Sequence, residues 1–141
     1  MKPLEALQSA LAGEHAAVYV YGVIGGRVSL SSESTLSDRV RTAYTLHRGR
    51  RDQLIAMVRA VDEVPVASEV SYQLPNRATT PDQLTAAALE LERRCIAVYA
   101  DLVGSTSGAN RQWAIDALND AAVRELGFGG SPEAFPGIAE L

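Results

Sequence analysis

The sequence is poor in cysteine and histidine, and it has no long apolar segment. Cys95 is the only cysteine, which excludes an intramolecular disulfide and a cluster of thiolate metal ligands and suits a reducing cytosol. The longest apolar run, residues 16–24, is shorter than the roughly 20 residues that a membrane-spanning helix needs. We therefore expect a cytoplasmic protein without a membrane-embedded segment.

Positive charge is also scarce. The formal net charge is −4 and the sequence pI is about 5.1, whereas nucleic acids and anionic membrane surfaces select clustered lysine and arginine. The one local exception is the group Arg48, Arg50 and Arg51, which in most helices forms a solvated face. The glycines have neither the spacing of a phosphate-binding loop nor that of a Rossmann fingerprint. We therefore expect neither a nucleic acid nor a membrane as the partner.

Helical periodicity dominates what remains. The 141 residues, 47% of them hydrophobic, fit one all-α domain covering residues 1–141. Thr80-Pro81-Asp82-Gln83 combines a capping threonine with proline at the first helical position, which predicts a helix start. Gly25-Gly26 predicts the end of the first helix. The four predicted helices cover about residues 3–24, 36–61, 81–103 and 109–126, and a tail rich in glycine and proline follows over residues 127–141.

The segment between the second and third helices is unusually long. Links between neighbouring antiparallel helices typically have about 2–8 residues, so residues 62–80 predict a crossover that runs the length of the bundle. Phe128 and Phe135 predict that the tail folds back onto the helices. The predicted inner faces consist of Val40, Tyr44, His47, Leu54, Val58 and Val61 on the second helix, and of Ile115, Leu118, Ala122 and Leu126 on the fourth.

A repeated motif places one carboxylate inside each of two helices. Glu14 lies within an apolar stripe at steps of three and four residues, and Tyr21 follows two turns later. Glu92 and Tyr99 repeat this arrangement on the third helix, each 78 positions after its counterpart. Both carboxylates are therefore predicted to point inward. The alternative, that they are solvated acids at the edge of the bundle, fits the repeated register less well.

Two helical hairpins joined by a crossover, with an inward glutamate on the first and third helices, form the ferritin-like arrangement of the four-helix bundle. More closely, the chain resembles DUF4439, a family of small ferritin-like proteins of unknown function. The resemblance covers nearly the whole chain and implies this fold but no established reaction. The segments that carry it are HRGRRDQL at residues 47–54, YQLPNRATTPDQL at residues 72–84, LELERRCIAVYADLV at residues 89–103 and SPEAFPGI at residues 131–138.

The sequence does not complete a ferritin-like di-metal site. Such a site takes one glutamate from each of two helices and a Glu-x-x-His pair from each of the other two. Glu14 and Glu92 match the single glutamates, but His47 stands where the second helix should have its carboxylate and Arg50 where it should have its histidine. The fourth helix has no histidine, and its only candidate acids near the middle are Asp116 and Asp120. We therefore expect no metal; the alternative is one Fe, Mn or Zn ion on Glu14, His47 and Glu92.

An arginine is able to take over the charge of the lost metals, because its guanidinium is permanently charged and suited to carboxylates. We therefore expect Arg50 or Arg51, together with His47, to pair with Glu14 and Glu92. The candidate interior cluster is completed by the two tyrosines of the repeat. Its members are Glu14, Tyr21, His47, Arg50, Arg51, Glu92 and Tyr99.

These features favour a protein without enzymatic activity: a ferritin-like bundle with a degenerate site that acts as a binding or structural module. A homodimer is expected, with close approach at Ala16-Ala17 and at residues 86–88. The alternative is oxidative or metal-handling activity on one ion, and a weaker idea is a small-molecule site lined by Tyr21, Tyr44 and Tyr99. The sequence does not identify a protein or small-molecule partner.

Overall fold

The computed structural model describes residues 1–138 and contains four helices. They are α1, Pro3–Arg27; α2, Ser34–Arg59; α3, Pro81–Ser105; and α4, Gly108–Leu126. Within the described residues there is no β-strand, so the all-α prediction is confirmed. Over the same part of the chain, none of the helices combines the length and the apolar character that crossing a lipid bilayer requires.

Two predicted helix ends can be compared directly with the structure. The third helix begins at Pro81 as predicted, because the Thr80 hydroxyl accepts a hydrogen bond from the Gln83 N–H at 3.2 Å. The prediction that Gly25-Gly26 ends the first helix is wrong, since α1 continues to Arg27. A glycine ends a helix when it adopts a left-handed conformation, and neither of these glycines has a positive φ. The chain instead leaves the helix at Val28, which is extended.

The end of the fourth helix at Leu126 agrees with the prediction, and the other bounds differ by at most two residues. The second helix begins at Ser34 and ends at Arg59, before Asp62, whose positive φ of 59° is incompatible with a continuing helix. The third helix continues to Ser105, where Thr106 is extended, and the fourth begins at Gly108. Terminal turns fray and are the least specified parts of a helix, which accounts for differences of this size.

The helices pack most closely in three pairs: α1 with α2, α1 with α3, and α3 with α4. Their apolar side chains form two separate clusters. One contains Leu7, Leu11 and Leu54 among others, and the other contains Tyr21 and Phe128 among others. Burying one such side chain stabilises the fold by about 1.5–3 kcal/mol. On α1 and α2, Glu14, His47 and Arg50 lie between the two clusters, whereas on α3 and α4 the polar residues described below lie among residues of the cluster that contains Tyr21.

The fourth helix buries a different face from the predicted one. Ala114, Ala117, Ala121 and Glu125 are buried, whereas Leu126 is 41% exposed, and the predicted Ile115, Leu118 and Ala122 are half-buried. Small alanines allow α4 to approach α3 closely, and this closeness moves the bulkier side chains to the flank. The predicted inner face of the second helix also needs correction, because Val61 lies beyond its end and is 53% exposed, and Tyr44 is only half-buried.

The small-residue surfaces predicted for a dimer are largely internal. Ala17, Ala87 and Ala88 are fully buried in the core, while Ala16 is half-buried and Ala86 is exposed. Alanine occupies these positions because helices within the bundle approach closely there. The homodimer itself stays a prediction, and Ala17, Ala87 and Ala88 are not accessible for its contact surface.

The crossover follows α1. The Gln8 side chain donates to the Val64 carbonyl at 2.7 Å and accepts from the Val66 N–H at 2.8 Å, and His15 Nε2 lies 3.0 Å from the Val66 carbonyl. At the other end of α1, Arg27 donates to the Arg77 carbonyl at 3.0 Å. The crossover therefore runs the length of the bundle, as its length predicted.

The tail folds back in part. Phe128 is 2% exposed and packs in the core, whereas Phe135 is 59% exposed, contrary to its predicted packing. Gly137 has a φ of +80°, and a Cβ there would come within 2.8 Å of the Ile96 carbonyl, so the tail contacts α3 at a position that requires glycine. Residues 139–141 of the predicted tail lie outside the described residues.

Candidate functional site

The two glutamates of the repeat point into the bundle. Glu14 is 1% exposed and Glu92 is 0% exposed, as their positions on the apolar stripes of α1 and α3 require. The Tyr21 hydroxyl donates to Glu92 Oε1 at 2.5 Å, and the Tyr99 hydroxyl donates to Glu14 Oε1. Each tyrosine therefore binds the carboxylate of the other helix and not that of its own.

His47 lies between the two carboxylates. Its Nδ1 is 2.6 Å from Glu14 Oε2 and its Nε2 is 3.0 Å from Glu92 Oε1. The imidazole is 0% exposed and stacks on the Tyr21 ring, with 5.3 Å between ring centroids. Both ring nitrogens face acceptors, so the arrangement requires the doubly protonated imidazolium, which donates from both.

The pKa of His47 agrees with this assignment. Burial favours the neutral imidazole, but the charges of Glu14 and Glu92 and their hydrogen bonds outweigh it and raise the pKa from 6.5 to about 9. Burial alone would raise the pKa of Glu92. The hydrogen bonds from His47 and Tyr21, together with the charges of His47 and Arg124, outweigh burial and lower this pKa. Burial and the charge of Glu92 raise the pKa of Tyr21 well above its ordinary value. At neutral pH His47 is therefore a cation beside the ionised Glu92.

The arginines are placed differently from the expectation. Arg50 is 8% exposed, but it forms an ion pair with Asp120 and donates to the Tyr99 hydroxyl at 3.4 Å, with its guanidinium 5.2 Å from the centre of that ring. Arg51 lies outside the cluster and pairs with Asp52 at 2.8 Å. One turn beyond His47, the Arg50 side chain reaches the hydroxyl of Tyr99 and continues to α4, so it is separated from the carboxylates by the tyrosine. Direct pairing of Arg50 or Arg51 with Glu14 or Glu92 does not occur.

The guanidinium nearest the carboxylates is Arg124, which the sequence analysis did not single out. Its Nε is 3.8 Å from Glu92 Oε1, and both of its terminal nitrogens donate to Asp120 Oδ2. Asp120 thereby joins two guanidiniums, since it also accepts from Arg50. Asp116, the other acid considered on the fourth helix, is exposed and accepts from Gln112 at 3.0 Å.

A further buried acid on α4 was also missed. Glu125 is 3% exposed and lies 3.4 Å from Arg93 Nε. The 78-residue spacing could have found it, because Glu125 is the counterpart of His47 and Phe128 is the counterpart of Arg50. The repeated glutamate and tyrosine reveal the spacing on the first and third helices, whereas on the second and fourth helices the counterparts are different residue types.

The network balances its charges. Each acid faces at least one cation, and among the described residues Glu92 Oε2 is the one buried side-chain nitrogen or oxygen without a hydrogen-bond partner. The four acids are Glu14, Glu92, Asp120 and Glu125, and the four cations are His47, Arg50, Arg93 and Arg124.

A groove between α2 and α4 gives access to this network. These two helices do not form one of the three closely packed pairs. The groove encloses about 370 Å³. Arg39 donates to the Gly127 carbonyl at 2.7 Å on one side, and Asp120 and Arg124 form the other. Phe128, which contacts the Tyr21 ring with 6.3 Å between centroids, also lines the groove. A second cavity, of about 290 Å³ between α1 and α2, is lined by Tyr21 and Tyr44 but not by Tyr99.

Comparison with known proteins agrees with this architecture. The model of a family described as a domain of unknown function, DUF4439, matches residues 6–140. The chain belongs to the DUF4439 family. Its fold is similar to that of a conserved hypothetical protein from Mycobacterium tuberculosis, with a TM-score of 0.83 and 27% identity over 90% of this chain and 94% of the other.

This DUF4439 chain is also similar to a ferritin-like, diiron-carboxylate protein from Bacillus anthracis strain Ames. The TM-score is 0.69, with 18% identity over 88% of this chain and 87% of the other. This likeness, together with the four helices and the crossover, confirms the ferritin-like fold. No curated protein matches the chain.

The residues of the DUF4439 chain do not fit the pair of metal ions that ferritin-like bundles hold. A histidine ligates a metal through a ring nitrogen without a proton, and both nitrogens of His47 are directed at carboxylates. Within residues 1–138, no group of three or more histidine, cysteine or acidic residues has the arrangement of a metal site. The set Glu14, His47 and Glu92 fails because the imidazole lies between the carboxylates and not beside them. The guanidinium of Arg124, 3.8 Å from Glu92, would also repel a cation.

Proposed function

We propose that this DUF4439 protein is a ferritin-like bundle that works without a bound metal, as a binding or structural module. The observation that carries the proposal is the position of His47, with one ring nitrogen on Glu14 and the other on Glu92. Buried carboxylates need a countercharge or a proton, and here the imidazolium provides the charge that metals provide in a di-metal bundle.

The state of the polar groups favours binding over catalysis. Both tyrosine hydroxyls donate to carboxylates and both His47 nitrogens are engaged, so the protons that these groups would give in acid–base chemistry are already held by carboxylates. The groove between α2 and α4 encloses about 370 Å³, which lies within the range of about 300–1,000 Å³ that is usual for small-ligand pockets. A small molecule or a partner side chain in this groove would contact Arg39 and Arg124.

We also propose a homodimer. Val123 is 68% exposed and Leu126 is 41% exposed, three residues apart on α4, and such apolar surface is commonly covered by a partner. Analytical ultracentrifugation of the chain and of its Val123→Glu variant tests the dimer. The dimer is expected for the wild type and weakened in the variant, and a monomer at all concentrations would refute it.

The metal content tests the main proposal. Untagged protein is produced with added iron, manganese and zinc and analysed by elemental analysis against protein concentration. The matched control carries Glu14→Gln and Glu92→Gln. Metal far below one ion per chain in both proteins is expected, and a stoichiometric ion that the control loses would overturn the proposal.

The second candidate is a single Fe, Mn or Zn ion on Glu14, His47 and Glu92, with oxidative or metal-handling activity. One observation favours it: Glu92 Oε2 is buried without a hydrogen-bond partner among the described residues, and a cation would satisfy it. Binding would require His47 to release at least one carboxylate and a proton. Metal binding measured by calorimetry in two buffers of different ionisation enthalpy would therefore report a released proton, and no heat of binding in either buffer excludes this candidate.

A further inference from the structure

The groove between α2 and α4 has a polar contact at each end. Arg39 donates to the Gly127 carbonyl at 2.7 Å, and Arg50 forms an ion pair with Asp120. On α2 the two arginines are eleven residues apart, about 16 Å along the helix, and on α4 their partners are seven residues apart, about 10 Å. The groove lies between these contacts. It is therefore an elongated space whose ends are fixed by charged side chains.

Arg39 presents unused hydrogen-bond donors at one end of this space. Its Nη1 is held by the Gly127 carbonyl, which fixes the guanidinium in place. Over residues 1–138, no hydrogen bond engages its Nε or Nη2, and no carboxylate forms an ion pair with it. These two nitrogens share one edge of the planar guanidinium, the geometry that binds both oxygens of a carboxylate. Arg39 therefore offers a positioned site for one carboxylate group.

The acids that border the groove do not occupy this site. Asp120 accepts from Arg50 and Arg124, so two guanidiniums already offset its charge. Asp38 precedes Arg39 in the sequence, but adjacent residues of a helix do not face each other. In the part of the chain that the structure describes, no ion pair joins them. The end of the groove at Gly127 therefore holds a cation that is available to an anion.

The wall beside Arg39 is apolar. Val123 is 68% exposed and borders the groove, together with the ring of Phe128. Val123 lies one helical turn before Gly127, the residue to which Arg39 donates. An apolar group covering this wall would leave water while a carboxylate on the same molecule binds Arg39. Ligand pockets commonly combine apolar walls with a few polar groups that fix the orientation of the ligand.

We propose, on the basis of the binding function proposed above, that the groove binds a small monocarboxylate with a compact apolar group. The carboxylate accepts from Nε and Nη2 of Arg39, and the apolar group covers Val123 and the edge of Phe128. Inorganic phosphate has no group to cover the apolar wall, and an uncharged analogue leaves the donors of Arg39 unused. Both are therefore weaker ligands than the carboxylate.

The experiment titrates untagged protein with phenylacetate, phenylacetamide and inorganic phosphate at constant ionic strength, with amide chemical shifts in NMR spectra as the readout. Phenylacetate should bind saturably with a dissociation constant of about 1 mM or lower. The shifts should concentrate on the residues that line the groove. The amide and phosphate should each bind at least about tenfold more weakly, because neither makes both contacts.

Two variants locate the carboxylate. Arg39→Gln should weaken phenylacetate binding at least about tenfold and remove the preference for phenylacetate over its amide. The matched control is Arg41→Gln, which removes another exposed arginine of α2 that borders the second cavity and not this groove. The control should bind phenylacetate like the wild type. Thermal unfolding of both variants checks that the fold is retained.

Three results would overturn the proposal: no saturable binding of phenylacetate to the wild type, equal binding of phenylacetate and its amide, or unchanged binding in Arg39→Gln. Phosphate that binds as tightly as phenylacetate would also overturn it, because the apolar wall then has no role. The metal content of the same sample is measured in parallel. A stoichiometric metal would refute the metal-free function whether or not phenylacetate binds, so the two failures are distinguishable.

Discussion

The most direct test of the charged centre is His47→Ala. The substitution leaves Glu14 and Glu92 without the cation between them, and removing one partner of a buried ion pair typically costs about 3–5 kcal/mol. The rise in the pKa of His47 from 6.5 to about 9 corresponds to roughly 3 kcal/mol of interaction with its surroundings. The two figures agree, so we expect the free energy of unfolding to fall by about 3–5 kcal/mol.

Urea unfolding followed by circular dichroism measures this loss at a series of pH values. In the folded protein the pKa of His47 lies above its unfolded value, so the stabilisation is complete below about pH 6.5 and is lost as the pH rises through about 9. The difference between the wild type and His47→Ala should therefore shrink between pH 6.5 and pH 9. The control Arg51→Ala, which removes only a surface pair with Asp52, should cost less than about 0.5 kcal/mol.

A second variant separates lost charge from lost packing. Combining His47→Leu with Glu14→Gln and Glu92→Gln removes all three charges, and replacing a whole buried ionic group is far less costly than removing one member. This triple variant should be more stable than His47→Ala. A loss below about 1 kcal/mol for His47→Ala, or a loss independent of pH, would refute the assignment of His47 as the buried cation.

Three further predictions concern the neighbouring groups. Arg50→Ala should cost about 1–3 kcal/mol in chemical unfolding, because its partner Asp120 is 45% exposed and the pair is only partly desolvated; a loss like that of a surface residue would contradict this. Tyr99→Phe leaves Glu14 Oε1 without the hydroxyl donor and should lower the free energy of unfolding by about 1–3 kcal/mol. Thermal unfolding measures this loss, and an unchanged melting temperature would contradict it. The pKa of Glu92 is lowered in the folded state, so the ionised Glu92 stabilises the fold above the ordinary glutamate pKa, and this stabilisation is lost as the pH falls below that value. The free energy of unfolding of Glu92→Gln should therefore depend less on pH in the acid range. An unchanged pH profile would contradict this prediction.

The fold could be predicted from the sequence because its signals are local and repeated. The start of α3 follows from Thr80-Pro81, and the inward direction of Glu14 and Glu92 follows from helical spacing alone. The end of α1 could not be predicted in this way. A glycine pair is compatible both with a helix and with its end, and the contacts of Arg27 with the crossover favour the extra turn.

The candidate site could be predicted only in part, for two physical reasons. On α4 the buried residues are mostly alanines, so a pattern based on large apolar side chains selects the neighbouring face, from which neither Arg124 nor Glu125 is expected inside. Long side chains add the second reason: periodicity gives the direction of the Cβ atom, but a guanidinium is several bonds away. Arg50 therefore reaches Asp120, and Arg124 approaches Glu92 from the flank of its helix.

The crossed hydrogen bonds of the two tyrosines also determine how the molecule can come apart. The hairpin of α1 and α2 supplies the donor for Glu92, and the hairpin of α3 and α4 supplies the donor for Glu14. Neither hairpin can therefore detach without leaving a buried acid short of a partner in both halves. Because each hairpin supplies a hydrogen-bond donor to the buried acid of the other, the two hairpins are expected to unfold in a single cooperative transition.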